Sequence, residues 1–345
     1  MKVAELKDIL KKYDNKSLSE ISVELYKKIP KKVREENGID EMLADFNNRK
    51  RPTGKREAPV DFEVLRKEIL QFADYAEAQF YFAPNQYVHK KERPKWRFIT
   101  KRYIKTLVGI TGEHADEAAD LLILLYRMLS YACHYYIFNT DDPFASVGYE
   151  QDELLDIVIA KNFHHGFSRD RIRKAVALTI ESEVNRYTLH IELLFVLIRR
   201  LKTSEAREIA AEECMAYKME DGAGKGFIED GCFRLAKDSF TLEEMENNTV
   251  GLYFHLKIML YEYDEAIDYY HKNYHRDGGK GKSGRRYGGN EITLYILLGW
   301  LEMHGLTELW RAEYEKALKQ GIDPRESLQD TYRKLRNGLS FDEIQ

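Results

Sequence analysis

Four side chains in the last third of the chain recur at helical intervals. Asp264, Asp268, His271 and His275 stand at i, i+4, i+7 and i+11, which lays them along one face of a helix. Two imidazoles four residues apart beside a carboxylate suit zinc or another divalent ion, so Asp268, His271 and His275 are a candidate metal set. Their neighbours support a plainer reading. Tyr263, Ile267, Tyr270 and Tyr274 form an apolar stripe about a quarter-turn away, placing the Asp/His face at the edge of solvent, where it makes i,i+4 hydrogen bonds. Just beyond, Gly278–Gly284 (GGKGKSG) contains Gly-Lys-Ser. A phosphate-binding loop also needs a glycine five positions before Gly281, where Arg276 stands, and a preceding strand, where the pattern is helical. The segment 276–290 therefore reads as a Gly-rich exposed insertion, and no cofactor is expected.

A second constellation is basic. In His89–Lys105, nine of 17 residues are Lys, Arg or His. Lys90, Lys91, Arg93, Lys95, Arg97 and Arg102 are suited to phosphates, and Trp96, Phe98 and Tyr103 to stacking on unpaired bases. The same spacing also describes an amphipathic helix that buries Trp96, Phe98, Ile99, Tyr103 and Ile104 and leaves its basic face in water. Residues 1–110 carry 25 Lys and Arg against 17 Asp and Glu, whereas the formal net charge of the whole chain is −4. A basic amino-terminal third beside an acidic remainder suits an acidic partner such as nucleic acid, or two ends that attract each other.

A third pair lies in the apolar run Leu121–Phe138. Arg127 and His134, seven residues apart, share a face if the run is one helix. The pair resembles the R-x4–6-H motif of the HEPN family, whose all-helical members include metal-independent ribonucleases. That resemblance implies His134 as general acid/base and Arg127 as stabiliser of developing phosphate charge. The alternative is that both are satisfied by buried carboxylates such as Asp120 or Glu117. His164 and His165, before Gly166, fall at the end of an expected helix, where an imidazolium complements the dipole.

Helices must position all of these groups. Hydrophobic residues make up 43% and charged residues 32%, with seven prolines, a globular composition suited to helices with short joins. Periodicity predicts helices over Val3–Tyr13, Asp61–Phe82, Glu113–Phe138, Glu150–Phe163, Leu189–Leu201 and Ser204–Met219. Ser17–Glu20 reads as a capping box opening a helix to Ile29, and Ser168 caps another to about Asn185. Asp323 and Pro324 mark the start of the last helix. No strand-like alternation intervenes. The expected fold is all-α: stacked antiparallel α-hairpins in a helical-repeat or α-solenoid-like array, with an N-terminal helical hairpin over 1–46. A basic linker over 47–60 would lead to an array over 61–248 and further hairpins over 249–345.

Within the last region, Tyr263–Lys272 (YDEAIDYYHK) places Ala266 and Tyr270 at small and aromatic positions. Leu298-Gly299, Tyr314–Ala317 and Pro324 repeat parts of the pattern. Over about residues 250–324 this resembles tetratricopeptide repeats, in which a small residue lets helix backbones approach and an aromatic fills the groove. The resemblance implies a protein or peptide partner held between stacked hairpins. The alternative expectation is a nucleic-acid-binding protein using its basic third, with HEPN-like cleavage. Arg127 and His134 inside the most apolar run argue against a membrane span and a membrane partner. Three well-separated cysteines and no visible signal peptide lead to a cytoplasmic expectation.

Overall fold

A computed structural model describes residues 3–36, 39–44, 61–217, 239–276, 279–280 and 286–344. They fall in two compact units, Met1–Asp61 and Phe62–Gln345. In the first unit, α1 (Val3–Leu10) is followed by α2 (Asn15–Lys28), α3 (Lys31–Glu36) and α4 (Ile39–Ala44). The start of α2 is set by Asp14, not by the Ser17 box. The Asp14 carboxylate accepts from the Ser17 amide at 2.8 Å, satisfying one of the orphan donors of a first turn. Tyr26 on α2 donates to Asp40 on α4 at 2.7 Å. The expected linker over 47–60 lies outside the described residues.

The second unit opens with α5 (Phe62–Glu77), which stops short of Phe82 because Gln79 adopts a left-handed φ of 59°. There follow α6 (Trp96–Gly109), α7 (Ala115–Tyr131), α8 (Pro143–Val147), α9 (Gln151–Asn162) and α10 (Arg169–Ile180). Next come α11 (His190–Arg200), α12 (Ser204–Ala216) and α13 (Ser239–Met259). Helix α7 buries residues on every side, among them Leu121, Leu122, Leu125, Tyr126 and Leu129. A helix apolar all round belongs in the interior, and α5, α6, α8 and α9 pack around it. Further along, α9 packs on α11, α11 on α13, and α10 on α12.

Two helices end earlier than their periodicity suggests. Helix α7 stops at Tyr131, where turns take over, and α10 stops at Ile180, where residues 181–185 turn away as a strap bonded to side chains of α7 and α9. The Ser130 hydroxyl accepts from the Glu183 amide at 2.7 Å. Gln151 donates to the Glu183 carbonyl at 2.9 Å and accepts from the Asn185 amide at 2.9 Å. Ser130, Gln151, Glu183 and Asn185 are all buried, so these bonds supply backbone partners that a continued helix would have supplied.

The chain closes with α14 (Tyr263–Asn273), α15 (Gly289–Met303), α16 (Thr307–Lys319), α17 (Glu326–Arg336) and α18 (Phe341–Ile344). Between α14 and α15, Gly279–Lys280 and Arg286–Tyr287 form a two-residue antiparallel pair; residues 277–278 and 281–285 lie outside the described set. Apart from that pair, the described elements are helical. Helix α13 joins two cores: Leu252, Tyr253 and Leu256 belong to the one built on α5–α12, and Val250, Phe254 and Ile258 to the one built on α14–α18. The expected division at residue 248 therefore falls inside one continuous helix. Gly251 sits where α13 meets its neighbours. A Cβ there would lie 3.2 Å from both Leu194 and Trp300, which explains a glycine inside a helix.

Helix α17 begins at Glu326, after Arg325, and not at the Asp323 cap. Arg325 is held by Glu291 on α15, with Nε and Nη2 each donating at 2.8 Å. Ala266 and Ala317, the small residues of the repeat-like segments, are both buried. Among the described residues, no helix is long and apolar enough to cross a membrane.

Candidate nucleic-acid interface

The basic segment is shaped by the loop that precedes α6. Asn85 pins it: the side-chain amide donates to the carbonyls of Phe80 at 2.7 Å and Ala83 at 2.8 Å. Its oxygen accepts from the amides of Tyr87 at 2.8 Å and Val88 at 2.7 Å. With both ends of one amide in use, the loop is fixed without regular structure. Arg93 Nε then donates to the Val88 carbonyl at 3.1 Å, which orients the guanidinium at the start of α6.

The result is a pocket of about 220 Å³. Lys90, Arg93 and Arg97 supply its charges, Asn139 and Ser146 add neutral polar groups, and Tyr81, Phe82, Pro94 and Trp96 line the rest. Every charged residue of the lining is a cation, and no ion pair to a carboxylate engages Lys90, Arg93 or Arg97 among the described residues. Their segment-mates are partly committed. Lys95 pairs with Glu92 at 2.8 Å and Arg102 with Glu68 at 3.6 Å, while Lys91 is exposed.

The aromatic assignment changes. Trp96 is only 4% exposed and lies stacked on Phe138, ring centroids 4.0 Å apart, so it is a core ring and not a stacking platform. Tyr103 is buried too, whereas Phe98, a stacking ring in one reading and a buried residue in the other, is exposed. The accessible ring of the pocket is Phe82, paired with Tyr136, which is 68% exposed, at 5.8 Å and an interplanar angle of 26°. The sequence carries a faint signal for both, as aromatics beside Pro84 and in the turn after α7. Gln79 brings them together by donating to the Tyr136 carbonyl at 3.0 Å.

Arg127 and His134 are placed otherwise. With α7 ending at Tyr131, His134 lies beyond the helix and shares no helical face with Arg127. Arg127 pairs with Glu181 at 2.7 Å, and the His134 Nε2 lies 3.1 Å from the Val184 carbonyl. Both therefore hold the strap over 181–185. Asp120 and Glu117, the carboxylates expected beside them, instead meet Lys174 at 2.7 Å and His114 at 3.5 Å.

The Asp/His stripe also comes apart. Helix α14 ends at Asn273, which takes His275 off the helical face, and Asp268 faces solvent. Asp268, His271 and His275 do not bring three ligand atoms within 4.8 Å of one another. His271 bonds Glu313 at 2.7 Å, and His275 is held through its backbone by Asn247. Both histidines line a larger cleft of about 690 Å³ between α14, α15 and α16, with Tyr270, Tyr274, Leu294 and Leu297 among its apolar residues. Its cations are paired: Lys316 with Glu313 at 3.2 Å, and Arg276 with Glu244 at 3.4 Å. Burial pushes the Glu313 carboxyl up, but hydrogen bonds and charge from His271 and Lys316 outweigh it and hold the group below its ordinary value.

The chain matches no protein-family model, no curated protein and no solved structure. Chemistry and geometry alone carry a functional reading.

Proposed function

We propose that this protein binds single-stranded nucleic acid through the pocket before α6 and the rings beside it. The observation that carries the reading is the convergence of Lys90, Arg93 and Arg97 on one pocket without a carboxylate. Cations left without acidic partners are available to phosphates, and each phosphate neutralised releases counterions. Phe82 and Tyr136 offer flat faces to bases, which a single strand exposes and a duplex conceals. The role is binding; Arg127 and His134 are engaged in holding the strap, so no cleavage step is assigned to them.

The test is fluorescence anisotropy with a labelled single-stranded 12-mer and its duplex at several salt concentrations. The single strand should bind more tightly, and log K should fall with log salt at a slope of about −2, from three contacts at roughly 0.7 each. No binding at low salt, or a preference for the duplex, would sink the reading.

A second reading, peptide binding by a helical-repeat protein, draws support from the 690 Å³ cleft between α14, α15 and α16, with its apolar interior and paired charges at the margin. The succession of α7, α9, α11 and α13 as packing neighbours suits stacked hairpins. Peptides selected on the protein from a random library should lose binding when Thr293→Trp fills the cleft. Undiminished binding by that variant would place the peptide elsewhere.

A further inference from the structure

At the other end of α7, three side chains from distant parts of the chain meet. Asp116 lies in the first turn of α7, and His164 and His165 follow the end of α9 at Asn162. The turn that carries the two histidines closes at Gly166, with φ of 89°, and is tied by the Gly166 amide donating to the Phe163 carbonyl at 2.9 Å. Their rings lie 3.7 Å apart, centroid to centroid. One ligand atom from each of Asp116, His164 and His165 falls within 4.8 Å of the others, the only such group of three among the described residues.

Two further features favour a bound cation. His164 Nδ1 lies 2.8 Å from the Lys161 carbonyl. A carbonyl only accepts, so Nδ1 carries the proton and Nε2 keeps its lone pair; Nδ1 also lies 4.0 Å from Asp116 Oδ1, so the ring is held against that carboxylate. The site also follows the carboxyl end of the 12-residue α9, where exposed carbonyls favour positive charge. Arg171 holds Asp116 in place, its Nη2 donating to the two carboxylate oxygens at 2.9 and 3.2 Å. A carboxylate has about four lone-pair positions, so that contact leaves room for a metal.

We propose that Asp116, His164 and His165 form a three-ligand site for a borderline divalent transition ion such as Zn²⁺, Ni²⁺ or Co²⁺. Two imidazoles and one carboxylate match these ions better than Mg²⁺ or Ca²⁺, which take oxygen ligands. Water completes the coordination, because all three residues are exposed. The metal fastens the end of α9 to the start of α7 and stabilises the folded state by mass action.

The test is isothermal titration of chelator-treated full-length protein with NiCl₂ and ZnCl₂, followed by melting with and without the metal. The wild type should bind one equivalent that the His164→Gln/His165→Gln variant binds at least tenfold more weakly, and Asp116→Asn should weaken it as well. Metal should raise the melting temperature of the wild type and not of the double variant. The His164 side chain is only 20% exposed and anchored to the Lys161 carbonyl, so circular dichroism checks that the fold persists. His165→Asn alone provides a milder second variant. Undiminished stoichiometry and affinity in the double variant, or no binding by the wild type, would overturn the proposal.

Discussion

The pocket before α6 and the cleft between α14, α15 and α16 both present cations, but they treat them differently. In the cleft, Glu313 answers His271 and Lys316, and Glu244 answers Arg276. In the pocket, Lys90, Arg93 and Arg97 meet no carboxylate. A matched charge has its attraction spent inside the fold, where it orders side chains and contributes modestly to stability. An unmatched one is solvated and available to an anion from outside. The difference teaches that Lys and Arg content is a poor guide to binding until the acidic groups beside it are located.

That contrast makes separable predictions. The largest effect should come from Arg93→Glu/Arg97→Glu, which reverses the sign of the pocket. Single-strand affinity should fall about a hundredfold, roughly 2.7 kcal/mol, with only the small drop in melting temperature that loss of the Arg93–Val88 hydrogen bond brings. A variant that melts much earlier would mean these cations serve the fold after all. Glu313→Gln should do the opposite, costing about 1 kcal/mol in denaturant unfolding because the half-exposed Lys316 loses its ion pair and His271 its carboxylate hydrogen bond, while nucleic-acid affinity stays put. A weaker complex in that variant would erase the distinction between the two regions. Phe82→Ala removes one stacking face and should cost about 1 kcal/mol of affinity, read as a several-fold rise in Kd with the salt slope unchanged.

Acid provides a further separation. No histidine lines the pocket, whereas His255 is fully buried, with its Nδ1 2.8 Å from His304 Nε2. Burial, reinforced by the neighbouring His304, holds the His255 imidazole well below its ordinary value. The unfolded chain takes up a proton near pH 6.5 that the folded chain refuses. The stability this histidine contributes is therefore complete above that pH and is lost progressively as the pH falls below it. Melting temperature should be flat from pH 8 to 7 and decline towards pH 5; a flat profile throughout would show that His255 reaches water.

Much of the helical inventory was legible in the sequence. Ser168 caps α10, Gly166 takes a left-handed φ, and α9 and α11 run close to their expected bounds. These features are set by neighbours a few residues away. The errors share a physical source in partners distant along the chain. Periodicity carries α10 on to about Asn185, but Ser130 and Gln151 reward the strap over 181–185 for turning. Trp96 looks like a base-stacking ring until Phe138 covers it. The basic cluster itself was plain in His89–Lys105, whereas its freedom from carboxylates was not. The adjacent histidines 164 and 165 were equally plain, but Asp116 reaches them only through the packing of α7, α9 and α10.

Helix α13 carries a last consequence. Leu252 and Tyr253 face one core and Phe254 the other, with Gly251 admitting both Leu194 and Trp300 at close range. A wall shared by two rooms cannot be removed from one alone. Opening either core strips packing from the other, so the second unit should lack a half-folded state with one core intact. Amide protons in the middle of α13 would then exchange only when the whole unit opens, and melting should follow a single transition spanning both cores.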